Sequence, residues 1–338
     1  MKIRQCLPFD ARFLALKITD LQRHIYITYG ESASNVNETA RRVGKDVGQV
    51  SIAVRAIQRK ALQHYGELEW DATISEIIEK PLKVLFFDIE TSPHTVKTFS
   101  FKAQWIGENQ VVEYGKVISF GAKWLGDEEI IYHESRGKSD KAITKKLMAL
   151  FDKADVVVAH NGRAFDVKTM KGRALKHNLD PPSPFRIADT LRIARREFKL
   201  PRNSLSFLAE FLECTPKKTH SKYPGMVLWM ETAKGNPDAW EEMKEYNIQD
   251  VLTLEEVYYR LRAWDSQSPN LSLFKADTVK VCPKCGAAGT MHKNSPVMTQ
   301  TQAYDSYICA SCRGWSRGRA TILDKETRAR ILTNAKYG

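Results

Sequence analysis

Asp88, Glu90, Asp166, Tyr246 and Asp250 have the residue types and spacing to do chemistry together in this 338-residue chain. Asp88 and Glu90 follow the apolar run Val84-Leu85-Phe86-Phe87. In an extended strand, side chains two apart share a face, so both carboxylates project together at the strand's end. Side by side they repel unless a cation neutralises them, and a divalent metal is the economical candidate. Asp166 adds a third carboxylate shortly after Val156-Val157-Val158-Ala159. Tyr246 and Asp250 lie four apart in a helical stretch, which puts a phenol and a fourth carboxylate on one face, a turn apart. Taken singly, each has a plainer reading: a solvated strand edge or salt bridge for Asp88 and Glu90, a helix cap for Asp166, and chance spacing for Tyr246 and Asp250.

The elements that must position these groups follow from hydrophobic pattern. Residues 83–87 read as a buried strand, 117–124 as a strand with alternation, 128–133 as another, and 156–159 as a buried strand running into His160-Asn161-Gly162. Residues 141–153 predict an amphipathic helix through Ile143, Leu147, Leu150 and Phe151. Residues 240–262 predict a long helix with Val251, Leu254, Val257 and Leu261 as its buried stripe. Boundaries fall near Lys80-Pro81 and in the polar stretch 265–270, whose composition is that of a linker.

In order and spacing, Asp88-x-Glu90, Asn161-x-x-x-Phe165-Asp166 and Tyr246-x-x-x-Asp250 resemble the three sequence blocks of the DEDD exonucleases, in the subgroup with tyrosine in the third block. Neighbouring residues, such as Thr91-Ser92-Pro93 and Asn247-x-Gln249, look like stand-alone, often phage-encoded members. The resemblance covers residues 83–264. It implies a ribonuclease-H-like α/β fold, a mixed sheet flanked by helices, related to the proofreading domain of B-family DNA polymerases. It implies 3′-5′ hydrolysis of phosphodiester bonds by a two-metal mechanism, with Asp88, Glu90, Asp166 and Asp250 holding two Mg²⁺ or Mn²⁺ ions. The residue types suit that chemistry: such ions prefer oxygen ligands, and a pair of them can generate hydroxide and stabilise the leaving oxygen. Tyr246 would orient or activate the water. Positioning is favoured, because a phenol ordinarily ionises near pH 10. Asn161 and Phe165 would contact the terminal nucleotide, with a core position the equal alternative for Phe165. Arg163, Lys168, Lys171 and Arg173 would supply positive charge to passing phosphates, or form an ordinary solvated helix face. Asp189-Thr190 is a supporting feature of relatives and is not counted as a metal ligand.

Cys282-x-x-Cys285 and Cys309-x-x-Cys312 form a Cys₄ zinc pattern that predicts one closed, structural Zn²⁺, with a disulfide pair or an iron site as alternatives. Gly286 and Gly314 fall where such knuckles need relaxed backbone. Tyr304, Tyr307 and Ile308 between the pairs fit the hairpin of a zinc ribbon. Arg313, Trp315, Arg317 and Arg319 combine stacking potential with charge, suited to single-stranded nucleic acid, to a folding staple or to protein docking. At the other end, residues 37–62 read as a helix-turn-helix: Ala40 is the small residue, Gly44 the turn glycine and Val50 the apolar anchor. The second helix, 49–64, presents Ser51, Arg55 and Arg59 as groove or phosphate contacts, and Lys45 departs from the usual apolar turn residue.

Composition bounds the rest. With 43% hydrophobic and 27% charged residues the chain is a packed globular protein, not a disordered or collagen-like one. Of the formal charge of +12, the larger share sits in residues 266–338, an electrostatic footprint for a polyanion. No run approaches the ~18 apolar residues of a membrane span, and the first residues have no signal-peptide layout. The expectation is therefore three modules: a helix-turn-helix domain over 1–79, the exonuclease domain over 80–265, and a zinc ribbon over 276–320 with a basic tail to 338. The protein would be cytoplasmic, in the bacterial host cytoplasm if phage-encoded. Its partner would be nucleic acid, foremost DNA with a 3′ end, with replication or recombination proteins beside it and no membrane. The rival readings are an RNase or structure-selective endonuclease on the same fold, and a non-catalytic DNA-binding regulator or replisome adaptor.

Overall fold

A computed structural model describes residues 19–32, 35–65, 82–99, 102, 105–215, 222–275 and 279–335. The chain divides into two compact units, Met1–Ile78 and Glu79–Gly338. Among the described residues, no helix is long and apolar enough to cross a membrane.

The first unit contains helices α1 (Asp20–Glu31), α2 (Val36–Val43) and α3 (Val47–Tyr65). Thr19 and Gln22 form a reciprocal capping box that starts α1, and Asn35 caps α2 through the Glu38 N–H. Gly44 ends α2 in the left-handed conformation, at φ 64°, where a side chain would be strained. Ala40 and Val50 are buried beside Ile25, Tyr26, Tyr29, Val54 and Ile57. Gly44 thus separates two helices whose Ala40 and Val50 share one small core. Arg55 is half-buried and donates from Nε to the Ser51 carbonyl, 3.0 Å away, on its own helix. The Arg59 side chain lies outside the described residues.

The second unit is an α/β layer structure around a five-stranded mixed sheet of order β5-β4-β1-β6-β7. The strands are β1 (Val84–Thr91), β4 (Val117–Trp124), β5 (Ile130–Glu134), β6 (Val156–Ala159) and β7 (Arg186–Asp189), and a small hairpin, β2 (Thr95–Val96) with β3 (Val111–Glu113), follows β1. β1 runs antiparallel to β4 and parallel to β6, which is parallel to β7. Alternation along β1 explains the layers. Val84 and Phe86 face one core, with α6 (Thr190–Glu197), α7 (Leu205–Phe211) and α9 (Pro237–Leu261). Leu85, Phe87 and Ile89 face the other, with α4 (Lys141–Lys153) and α5 (Asp166–Lys176). Continuing the alternation, Asp88 and Glu90 fall on the α9 side. The fold is RNase H-like.

Two connections hold surprises for a sequence reader. The stretch 265–270, read as a linker, is strapped to the body. Asp265 is buried and ion-paired to Arg196, Ser266 donates to Glu197 from both N and Oγ, and Leu271 enters the α9-side core. Arg173, read as a phosphate contact or part of a solvated helix face, instead grips the fully buried Asp140 from Nε and Nη2 at 2.6 Å each. His177 Nε2 and the Val117 N–H complete that network. Burial alone would raise the Asp140 pKa, but these hydrogen bonds outweigh it and hold the carboxyl below its ordinary range.

The last strands, β8 (Met291–Met298), β9 (Ala303–Cys309) and β10 (Trp315–Thr321), form a three-stranded antiparallel sheet of order β10-β9-β8, followed by the short α10 (Lys325–Arg330). In the first knuckle Gly286 takes a positive φ of 73°, as expected. In the second the left-handed residue is Arg313, at φ 62°, not Gly314. Gly314 is needed for close packing: a Cβ there would lie 2.7 Å from Lys284 Cδ and 3.2 Å from Cys312 Sγ. Lys284 in turn donates to the Ala263 and Asp265 carbonyls, fastening the knuckle just beyond the end of α9.

Candidate active site

β1 carries Asp88 and Glu90 to its carboxyl end, and α9 brings Asn247 and Asp250 down onto them. That approach depends on Gly121, which pairs with Asp88 across β4: a Cβ there would meet Val251 Cγ2 at 2.9 Å and the Asn247 carbonyl oxygen at 3.0 Å. Without a side chain at 121, α9 packs directly against the sheet. The result is that ligand oxygens of Asp88, Glu90 and Asp250 all lie within 4.8 Å of one another. Three carboxylates at that spacing repel, and hard oxygen donors so gathered suit a divalent cation of the Mg²⁺ or Mn²⁺ kind.

Asp166 stands outside that group of three, yet beside it. It opens α5, is 3% exposed, and accepts a long 3.4 Å hydrogen bond from the Ile89 N–H, between the two β1 carboxylates. Burial drives its pKa well above the ordinary carboxyl range, and the charge of Asp189 pushes the same way. A bound cation would oppose both effects. Tyr246 is 9% exposed on the same helix as Asp250.

Two neighbours that the sequence reading did not single out hold the acids in place. Asn247 Nδ2 donates to Asp88 Oδ2 at 2.9 Å and to its carbonyl at 3.3 Å, while Asn247 Oδ1 accepts from Ser119 Oγ. Trp229, on the short α8 (Val227–Ala233), donates from Nε1 to Glu90 Oε2 at 3.1 Å. Its ring also meets Tyr246 edge-on, with centroids 6.0 Å apart and planes at 81°. Asn247 lay within a recognised motif, and its place directly after Tyr246 was the available signal. Nothing in the local pattern around Trp229 marks it.

The loop before Asp166 is braced from below. The Asp189 carboxylate accepts from the Asn161 and Arg163 N–H groups at 3.0 and 3.1 Å and caps α6 through Arg192 N. Thr190 Oγ1 lies 2.9 Å from His160 Nδ1. Asp189 is thus a brace for the loop, in keeping with its exclusion from the ligand set. Asn161 adopts a positive φ of 65°, and a Cβ at Gly162 would lie 2.3 Å from Ala159 Cβ, so the turn requires glycine. Phe165 is 45% exposed, which removes the core reading, and Arg163 is exposed beside it.

The four cysteines also converge. Cys282 Sγ lies 3.7 Å from Cys312 Sγ, and Cys285 Sγ 3.7 Å from Cys309 Sγ. Zn–S bonds of ~2.3 Å arranged tetrahedrally give sulfur–sulfur edges of about 3.8 Å, whereas a disulfide needs ~2.05 Å. The donor set fits zinc. The Cys285 thiol is depressed to about 4, chiefly by its hydrogen bond with Cys282, whose own pKa is raised in exchange.

A mixed five-stranded sheet with carboxylates converging at the end of its central strand defines an RNase H-like nuclease fold. The RNase_H superfamily model matches residues 85–262, more than half of the chain, and the protein belongs to that superfamily. Among solved structures it is similar to the family B DNA polymerase from the hyperthermophilic archaeon Pyrobaculum calidifontis, at 15% identity and a TM-score of 0.41. That match covers 54% of this chain and 26% of the polymerase chain, so the protein spans about a quarter of that relative's length. No curated protein matches the chain.

Proposed function

We propose that the protein is a metal-dependent 3′-5′ exonuclease acting on DNA. The convergence of Asp88, Glu90 and Asp250 within 4.8 Å, from a strand and a helix far apart in sequence, carries this reading. Asp88, Glu90, Asp166 and Asp250 would hold two Mg²⁺ or Mn²⁺ ions. When bound, such ions lower the pKa of water and stabilise a leaving oxygen. The chain's own residues do the rest. Asn247 and Trp229 orient Asp88 and Glu90, Tyr246 positions the attacking water, and the Asp189-braced loop presents Asn161, Arg163 and Phe165 to the terminal nucleotide. The exposed ring of Phe165 offers a face for a base or sugar, and Arg163 a charge for a phosphate.

The flanking modules, over 1–79 and 276–320 with the basic tail, place the substrate in this reading, alongside replication or recombination proteins in the cytoplasm, that of a bacterial host if the protein is phage-encoded. The turn geometry at Gly44 supports a helix-turn-helix, and Arg55 and Arg59 are its proposed contacts. On the ribbon, Trp315 is exposed and Arg317 stacks over Tyr304 at 4.1 Å.

End-labelled single- and double-stranded DNA and RNA, incubated with Mg²⁺ or EDTA, test the proposal. Expected is stepwise shortening of DNA from the 3′ end with Mg²⁺ only. Internal cleavage products, or a preference for RNA, would replace it with the endonuclease or RNase reading.

A further inference from the structure

Beside the catalytic loop lies a cavity of about 420 Å³ lined by His160, Asn161, Leu191, Arg195 and residues 203–206. We propose that it is a binding pocket for one unpaired nucleobase of a single-stranded nucleic acid. This deepens the exonuclease reading by naming the form of substrate the site accepts, and it rests on that reading only for the link to hydrolysis.

Position is the first argument. β1, β6 and β7 run parallel, and the crevice outside the carboxyl ends of such strands is where open α/β sheets bind ligands. Asp88 and Glu90 stand at the end of β1. The pocket's His160 and Asn161 follow β6, and its Leu191 follows β7. Asn161 belongs to both places. It lines the cavity, and its backbone N–H is fixed by Asp189 in the loop whose Gly162 Cβ position lies 3.8 Å from Asp166 Oδ2. The loop that leads into Asp166 thus also lines the cavity.

Chemistry is the second. Leu191 and Leu205 give the cavity an apolar floor, the His160 ring and the Arg195 guanidinium supply planar groups, and Asn161, Asn203, Ser204 and Ser206 place donors and acceptors at its edges. Flat apolar faces with a polar edge describe a nucleobase, and bases stack on histidine rings and arginine planes. The volume lies within the ~300–1,000 Å³ of small-molecule sites. A phosphate alone would not use the leucines.

Charge is the third. Arg192, Arg195, Lys199 and Arg202 are exposed along α6 and the segment after it, and none forms an ion pair among the described residues. They form a basic rim for the phosphates on either side of an inserted base.

The test is binding of labelled single-stranded oligonucleotides to the full-length protein, by fluorescence anisotropy, without added Mg²⁺ and without chelator. An abasic position is moved one nucleotide at a time from the 3′ end, in DNA and in RNA. The pocket predicts one position, near the 3′ end, where base removal weakens binding about tenfold or more. Ser206→Trp, which puts a bulky side chain at a lining position of the cavity, should erase that position-specific loss. Arg202→Ala, on the basic rim and outside the cavity lining, should weaken binding to every oligonucleotide and reduce its salt dependence. A loss in both sugars assigns the pocket to the base alone, and a loss in one sugar adds that sugar to what it recognises. A flat scan in wild-type protein, or a scan unchanged in Ser206→Trp, overturns the pocket and leaves the exonuclease reading intact. A position-specific loss in a protein that hydrolyses nothing with Mg²⁺ would keep the pocket and sink the exonuclease.

Discussion

The protein gathers metal-ligating side chains at two places, and the two are built on opposite plans. The four thiols come from two knuckles near one another in sequence and lie within 4.8 Å of one another, and a zinc ion held by all four would have no position left for a reactant. The three carboxylates come from β1 and α9, are hard donors, and owe their geometry to neighbours: Asn247 on Asp88, Trp229 on Glu90 and the bare backbone at Gly121. A closed site needs only its own ligands. An open one depends on the surrounding protein, and that dependence gives it specificity and makes it fragile.

The sharpest way to break the comparison is to deny the thiol site the zinc that its donor set fits. Structural zinc contributes on the order of 10 kcal/mol of apparent binding free energy to modules of this kind. Cys285→Ser should therefore lose bound zinc and expose residues 279–321 to protease. The loss should reach the main body, because Lys284 ties the knuckle to the carbonyls beyond α9 and Gly286 packs near Leu82 and Leu271. Metal analysis and limited proteolysis check this. A variant without zinc that resists protease like wild type would make the ribbon self-supporting.

The open site should respond in the opposite sense. Asp88→Ala and Asp250→Asn are expected to reduce Mg²⁺-dependent hydrolysis by about 10³-fold or more, equivalent to ~4 kcal/mol of transition-state stabilisation. The melting temperature measured without Mg²⁺ should not fall, since each change relieves repulsion among gathered carboxylates. Hydrolysis at wild-type rate would remove these acids from the site. A variant that melts much earlier would show them to be structural.

How much of this a sequence reader could see follows the same division. The thiol site was legible because its ligands are local. Asp88 and Glu90 were legible because a two-residue period puts them on one face, and α9 because the stripe Val251, Leu254, Val257 and Leu261 repeats through its C-terminal half. Trp229 sits in a seven-residue helix, too short for a period to show. Asp140 and Arg173 are joined only by the fold, so an arginine on a helix read as a phosphate contact. The strap at 265–270 has linker composition, yet Arg196 and Glu197, distant in sequence, hold it down. Residues 128–133 read as a strand, whereas β5 runs Ile130–Glu134, a shift at an edge where turn residues blur the pattern.

Asp140 sharpens the contrast, because it is a buried carboxylate that the protein satisfies with its own donors, Arg173, His177 and the Val117 N–H. Asp140→Asn should cost about 3–5 kcal/mol, the usual result of leaving Arg173 buried without its counter-charge. Its pKa is depressed on folding, so its contribution is present above the unfolded carboxyl value, near 4, and is lost as pH falls below it. The stability difference between wild type and Asp140→Asn should therefore shrink in acid. Denaturant titrations from neutral to acidic pH measure it, and a pH-independent difference would show that lost packing outweighs lost charge.

The smallest expected effect is the most diagnostic. If the open site depends on neighbours, removing one hydrogen bond while keeping the shape should weaken function without weakening the fold. Trp229→Phe deletes the Nε1–H that holds Glu90 and keeps an aromatic ring against Tyr246. Partners of metal-ligating groups typically contribute 10–100-fold in metal affinity or activity. Trp229→Phe is expected near the lower end, because Glu90 keeps its place on β1 and loses only its orientation. The loss should appear as a raised Mg²⁺ requirement, largely recovered at saturating metal. Trp229→Ala should also lower the maximal rate, because the face that steadies the Tyr246 phenol goes with it. Equal Mg²⁺ dependence in wild type and Trp229→Phe would mean that β1 alone orients Glu90, and the open site would then be nearly as self-contained as the closed one.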